Sequence, residues 1–155
     1  MTRIVVSIVD VYPLRQIDGK AEMLLLQRGP DTRRTGSWEA VHGHIESGET
    51  PVAAARRELL EETGLTALRW YNLSRVELFY QHRVDEVALV PMFAAIVASG
   101  ADIVLSPEHD RAEWLPIEEA AARYAWPRER RALTDIQWLL GSGSAGELED
   151  VLRIP

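Results

Sequence analysis

Hydrophobic positions change period several times along the chain, and each change marks an element. Ile4 to Val11 is β-branched and almost continuously apolar, the pattern of a strand buried on both faces. After a turn at Ile17-Asp18-Gly19-Lys20, Glu22 to Gln27 carries Met23, Leu24, Leu25 and Leu26 and ends at Gly29-Pro30. That predicts a second strand folded back on the first as a hairpin. Asp31 to Gly36 is polar and basic, a loop, and Ser37 to Val41 is a short extended piece. The period then becomes helical. Thr50 can cap a helix that starts at Pro51, where a missing N–H costs nothing, and Val52, Ala55 and Leu59 share one side. The spacing predicts a helix over Pro51 to Glu62, stopped by Gly64 in a left-handed cap.

Leu68 to Phe79 and Glu86 to Ala98 read as strands about a turn near Gln81-His82-Arg83, and Pro91 predicts an edge position or a bulge in the second. Ala112 to Leu115 is a further short strand. Pro116 to Tyr124 and Pro127 to Leu140 are helices, the second carrying Leu133, Ile136 and Leu140 at helical spacing. Gly141 to Gly146 is Gly/Ser-rich, so residues 141–155 are expected to form a flexible segment after a single domain spanning 1–140. Strands and helices in mixed order indicate an α/β or α+β sandwich rather than a bundle.

Composition narrows the function. With 155 residues and 46% apolar content, one core can form unaided. The absence of cysteine removes thiol nucleophiles, disulfides and Cys-ligated metals, and suits a reducing compartment. Twenty-four acids against seventeen bases leave a net charge of −7, which disfavours duplex nucleic acid as a partner. No apolar run approaches the roughly 20 residues of a membrane span, and Met1 to Asp10 lacks the features of a secretory signal. The expectation is a cytoplasmic protein with a small-molecule substrate; a homodimer is left open. Gly141 to Gly146 fits G-x-G-x-x-G but follows a helix, out of dinucleotide-binding context, and Asn72-Leu73-Ser74 fits a glycosylation acceptor by chance.

Chemistry concentrates between Gly43 and Leu65. On the predicted helix Glu58 and Glu62 lie four apart and Glu61 lies three from Glu58, so three carboxylates crowd one face. Their repulsion costs some tenths of a kcal/mol per close pair, and only Arg56 and Arg57 are near to offset it. A hard cation such as Mg²⁺ or Mn²⁺ would relieve it directly. The segment matches G-x5-E-x7-R-E-U-x-E-E-x-G-U, with U a bulky aliphatic: Gly43, Glu49, Arg57, Glu58, Glu61, Glu62 and Gly64 at the specified positions, and Leu59 and Leu65 at the aliphatic ones. The chain therefore resembles a Nudix hydrolase over nearly its whole length.

That resemblance implies a Nudix-type α/β/α sandwich with a mixed sheet, and divalent-metal-dependent hydrolysis of a nucleoside diphosphate linked to another moiety. Water would be the nucleophile. By position, Glu58, Glu61 and Glu62 correspond to the family's metal-binding glutamates, with the Gly43 carbonyl as a further ligand. Glu49 and Arg57 look like the pair tying loop to helix. Which carboxylate deprotonates water varies in the family; Glu58 is favoured here, with Glu108 or Glu113 as later contributors. His42-Gly43-His44 departs from the usual Pro-Gly-Gly, so His42 and His44 are either loop-bonded histidines or, for His44, a substrate contact. Trp38 either fills core or stacks on a base, Trp126 could reach over the pocket, and Arg128 either meets phosphate or begins a solvated helix. Glu108 to Leu115 is similar to the late Glu-x4-Glu-Trp segment of nucleotide-directed members, including dihydroneopterin triphosphate pyrophosphatases. The function so implied is hydrolysis of a nucleoside or pterin triphosphate-like substrate. A dinucleoside polyphosphate hydrolase and a non-catalytic nucleotide-binding regulator are the alternatives.

Overall fold

The computed structural model describes residues 1–155. Its sheet has nine strands: β1 (Arg3–Val5), β2 (Ile8–Ile17), β3 (Lys20–Arg28), β4 (Trp38–Glu39), β5 (Val41–His44), β6 (Arg69–Gln81), β7 (Glu86–Ile96), β8 (His109–Pro116) and β9 (Arg153–Ile154). The main path runs β4-β3-β2-β7-β6-β9, with β1 on β7, β5 on β2 and β8 on β3. Helix α1 (Pro51–Thr63) covers one face, while α2 (Ile117–Arg123), α3 (Pro127–Leu140) and α4 (Glu149–Leu152) lie towards the other. This is the expected α/β/α sandwich with a mixed sheet. Every residue from Val9 to Leu14 is buried because both faces of β2 are covered.

The β2–β3 hairpin forms as expected, pairing Leu14 with Met23 and Ile17 with Lys20. Asp18 and Gly19 both take positive φ, 49° and 76°, the type I′ geometry that matches strand twist. On α1, Thr50 Oγ1 accepts from the Ala53 N–H, and Gly64 at φ 70° donates its N–H to the Leu60 carbonyl. Leu59 is buried beneath the helix, a contribution of about 1.5–3 kcal/mol.

Three expectations need correction. The first apolar run is two strands, since β1 runs parallel to β7 and ends before β2 begins, leaving Ile4 72% exposed. Pro91 is not at an edge: β7 is flanked by β6 and by β1 and β2. It falls between Ala88, the last partner of β1, and Met92, the first partner of β2, so neither strand pairs with it, and on β6 it meets Val76 where the register shifts, the bulge that was the other expectation. The irregularity lies opposite, where the register of β6 shifts between Asn72 and Val76. Finally, the segment expected to be flexible is docked. Ala145 and Leu152 enter the core, Arg153 and Ile154 pair with Tyr71 and Trp70, and Glu149 accepts hydrogen bonds from the Tyr71 hydroxyl and the Ala145 N–H.

Candidate active site

The N-terminal loop of α1 is fastened by one guanidinium. Arg57 donates twice to Glu49, at 2.9 and 3.0 Å, and to the His44 carbonyl at 2.8 Å. Its remaining amine reaches Glu58 Oε1 at 2.8 Å and Glu61 Oε2 at 3.1 Å. Arg57 and Glu49 thus join loop and helix, and Glu49 also accepts from the Glu46 N–H. Glu58 lies across Gly43: a Cβ there would sit 1.9 Å from the Glu58 carboxyl carbon, so only glycine permits the approach.

Glu58 and Glu62, one turn apart, face a cleft of about 430 Å³ also lined by Gly43, His44, Glu108, Phe79, Trp126 and Arg128. Arg28, Arg33 and Arg34 add cationic walls, and Arg33 pairs with no carboxylate. A roomier hollow of about 600 Å³ beside Leu60, Leu65 and Trp70 holds no carboxylate of the motif. Of the two, only the cleft is lined by carboxylates of the motif. Glu62 is only 5% exposed, and its Oε2 has no hydrogen-bond partner. Burial pushes its carboxyl up to about 9, against the opposing pull of His42. Glu58 is also raised, again chiefly by burial. An orphaned buried carboxylate oxygen one turn from a second carboxylate is a donor set that suits a hard cation.

Behind this wall lies a buried ionic network that sequence reasoning missed. His42 Nδ1 lies 2.7 Å from Asp10 Oδ1, and its Nε2 lies 3.4 Å from Glu129. Arg128 donates to Asp10 at 2.8 Å. Burial works to raise the Asp10 carboxyl, but His42 and Arg128 outweigh it and hold it at about 2. Burial likewise opposes the His42 charge, yet Asp10 and Glu129 keep this imidazole well above its ordinary value. Glu39 accepts from Arg28 and Arg34 and lies 3.0 Å from His109 Nε2; against burial, His109, His42 and Arg28 draw it down to about 2. Glu129 accepts from the Ala40 N–H and caps α3 at the Trp126 N–H. The one sequence signal was Asp10, a lone acid inside an apolar strand.

Other expected residues are placed differently. Glu61 is exposed and turned to Arg57, and no three Asp, Glu or His side chains stand together in an arrangement that could hold a metal ion as they are. Glu113 lies outside the cleft, held by Arg111 and Arg123. Trp38 packs against the core with the Arg111 and Arg123 guanidinium groups 5.6 and 5.1 Å from its ring, and it does not line the cleft. Arg128 is no solvated helix start, being only 11% exposed and paired to Asp10. Trp126 does reach the cleft, lying between Arg34 and Arg128 at 5.2 and 4.8 Å and edge-on to Phe79 at 5.7 Å.

A mixed-sheet sandwich with a carboxylate-bearing helix opening on a basic cleft defines a class, and the chain belongs to it: the NUDIX domain family matches residues 2–136. A stretch of 111 residues is 39% identical to the octanoyltransferase of Myxococcus xanthus, covering 67% of this chain and 29% of that protein. Another of 101 residues is 34% identical to the asymmetrical bis(5'-nucleosyl)-tetraphosphatase of Mus musculus, covering 64% of this chain and 67% of that protein. The structure of a C. elegans Ap4A hydrolase binary complex aligns with a TM-score of 0.73 at 26% identity, over 88% of this chain and 98% of that one. The match thus spans under a third of the first relative and about two thirds of the second. No helix is long and apolar enough to cross a membrane.

Proposed function

We propose that this chain is a divalent-metal-dependent pyrophosphohydrolase that cleaves a diphosphate linkage in a nucleotide by attack of water. The observation that carries this reading is the pair Glu58 and Glu62, facing an arginine-walled cleft with a buried Glu62 oxygen left without a partner. Glu58, Glu62 and the Gly43 carbonyl would hold Mg²⁺ or Mn²⁺, with Glu108 across the cleft; Glu61 joins only by leaving Arg57. Such an ion offsets phosphate charge and lowers the pKa of a bound water. Arg33 and Arg34 bind the anionic phosphates and orient the chain of the substrate. Glu58 takes the proton of the attacking water on Oε2, the oxygen Arg57 does not engage. The water oxygen bonds to phosphorus as the bridging P–O bond breaks, and the leaving phosphate carries away the bond's electron pair.

For the base, Trp126 with Phe79 offers a stacking surface, which favours a planar heterocycle joined to a polyphosphate. A dinucleoside polyphosphate is the second reading. Beyond Phe79 the cleft continues into a hollow of about 600 Å³ lined by Tyr80, Gln81, His82 and Arg83, enough for a second base. The similarity to a bis(5'-nucleosyl)-tetraphosphatase supports the same reading. Nucleoside triphosphates, dihydroneopterin triphosphate, sugar nucleotides and dinucleoside polyphosphates should be assayed with Mg²⁺ and their products resolved. Turnover of the triphosphates or the dinucleoside polyphosphates, abolished by chelator and restored by Mg²⁺ or Mn²⁺, is expected; full turnover in excess chelator refutes the mechanism.

Trp126→Ala tests the base subsite. A base–aromatic stack is worth about 1–3 kcal/mol, so KM should rise about 5- to 150-fold, with a smaller change in kcat because the stack is made equally in ground and transition states. A lower melting temperature with KM unchanged would reduce Trp126 to a packing residue.

A further inference from the structure

One face of the sheet runs out from under its helix. On the α1 side, the helix covers Phe93 and Ala95 of β7, but the strand continues beyond it. There Val76, Leu78 and Tyr80 of β6 sit opposite Pro91, Leu89 and Val87 of β7, all on the uncovered face. Ile4 of β1 pairs with Val87 and extends the same face, with Val6 two residues on. The outer members are 50–72% exposed: Val6 at 50%, Tyr80 at 55%, Val76 at 56%, Leu78 at 67% and Ile4 at 72%.

We infer that this three-strand apolar face is a docking surface for a second copy of this chain, packed face to face about a two-fold axis. Area supports the assignment. The exposed side chains present about 600 Å² of mostly apolar surface, the upper end of what a monomer shows. Doubled across a two-fold, that reaches the roughly 1,200 Å² at which specific interfaces begin. Charge selects the occupant. At the rim Arg3 pairs with Glu86, Asp85 accepts only from the hydroxyls of Thr2 and Tyr80, and Arg83 meets no carboxylate. The hairpin tip thus carries one unpaired charge of each sign, Asp85 and Arg83, which a two-fold related copy of the chain can match with itself. Two twisted sheets pack with apolar faces about 10 Å apart, a geometry a flat patch of alternating Val, Leu and Tyr can meet with itself. Phe79, next to Leu78, faces the cleft from the other side of β6, so the contact would brace the hairpin that forms the cleft wall.

Sedimentation of the full chain from about 1 to 100 µM, the range proper to a small interface, should show a monomer–dimer equilibrium. Leu78→Glu would bury two unpaired carboxylates near the axis and should weaken association by about 10²-fold or more. Its melting temperature should stay close to that of the parent at monomeric dilution, because Leu78 is largely exposed. Trp138→Glu is the control, removing the 88% exposed tryptophan of α3 on the opposite side of the sheet; dimerisation should survive it. A chain that stays monomeric throughout, or a dimer that survives Leu78→Glu, or one dispersed by Trp138→Glu alone, overturns the assignment.

Discussion

Glu58→Gln is expected to lower kcat by about 10²-fold or more with little change in melting temperature. The amide keeps the shape of the side chain and can still accept from Arg57, but it cannot take a proton from water or offer a charged ligand. Glu49→Gln should behave differently. Glu49 takes two hydrogen bonds from Arg57 and one from the Glu46 N–H, and touches nothing else that the chemistry uses. Its loss weakens the fastening of the loop, so melting temperature and KM should move more than kcat. Equal losses of kcat at Glu49 and Glu58, measured side by side under saturating Mg²⁺, would contradict this division of roles.

What could be read from the sequence was whatever its own neighbours decide. Helix α1 is capped by Thr50 and stopped by Gly64, both within one turn of its ends, and its carboxylate spacing follows from the helical repeat alone. The β2–β3 turn is equally local. Placement set by distant chain was not legible. Arg128 and Asp10 lie 118 residues apart in sequence, yet their ion pair turns an apparent helix-start arginine into a buried counter-charge. Glu129 reads as an ordinary first-turn acid, while in the fold it caps α3, holds the Ala40 N–H and approaches His42. Glu61 shows the converse: helical spacing places it near Glu58, but its long side chain turns outward to Arg57. The break between β1 and β2 has the same origin, since β-branched residues continue through it and only the absence of a covering helix exposes Ile4.

The largest effect of pH should come through Glu62. Its carboxyl is raised from 4.5 to about 9, chiefly by burial. For an acid whose folded pKa lies above its unfolded value, stability is fully present below the unfolded pKa and is lost as pH rises through the folded one. The metal-free chain should therefore lose melting temperature steadily between about pH 5 and 9. His42, itself raised, contributes with the same sign once pH passes its unfolded value, whereas Asp10 and Glu39, both held near 2, are silent in this window. Glu62→Gln separates these contributions, because it removes the carboxyl and leaves His42 in place. The variant should show a flatter profile across the same range. Metal adds an independent reading: a cation that displaces the Glu62 proton binds more tightly as pH rises, so the gain in melting temperature on adding Mg²⁺ should grow from pH 6 to 9 in the parent and be largely absent in the variant. A metal-free profile that rises over this window, or a Mg²⁺ gain unaffected by Glu62→Gln, would remove Glu62 from the cation site and leave its buried oxygen unexplained.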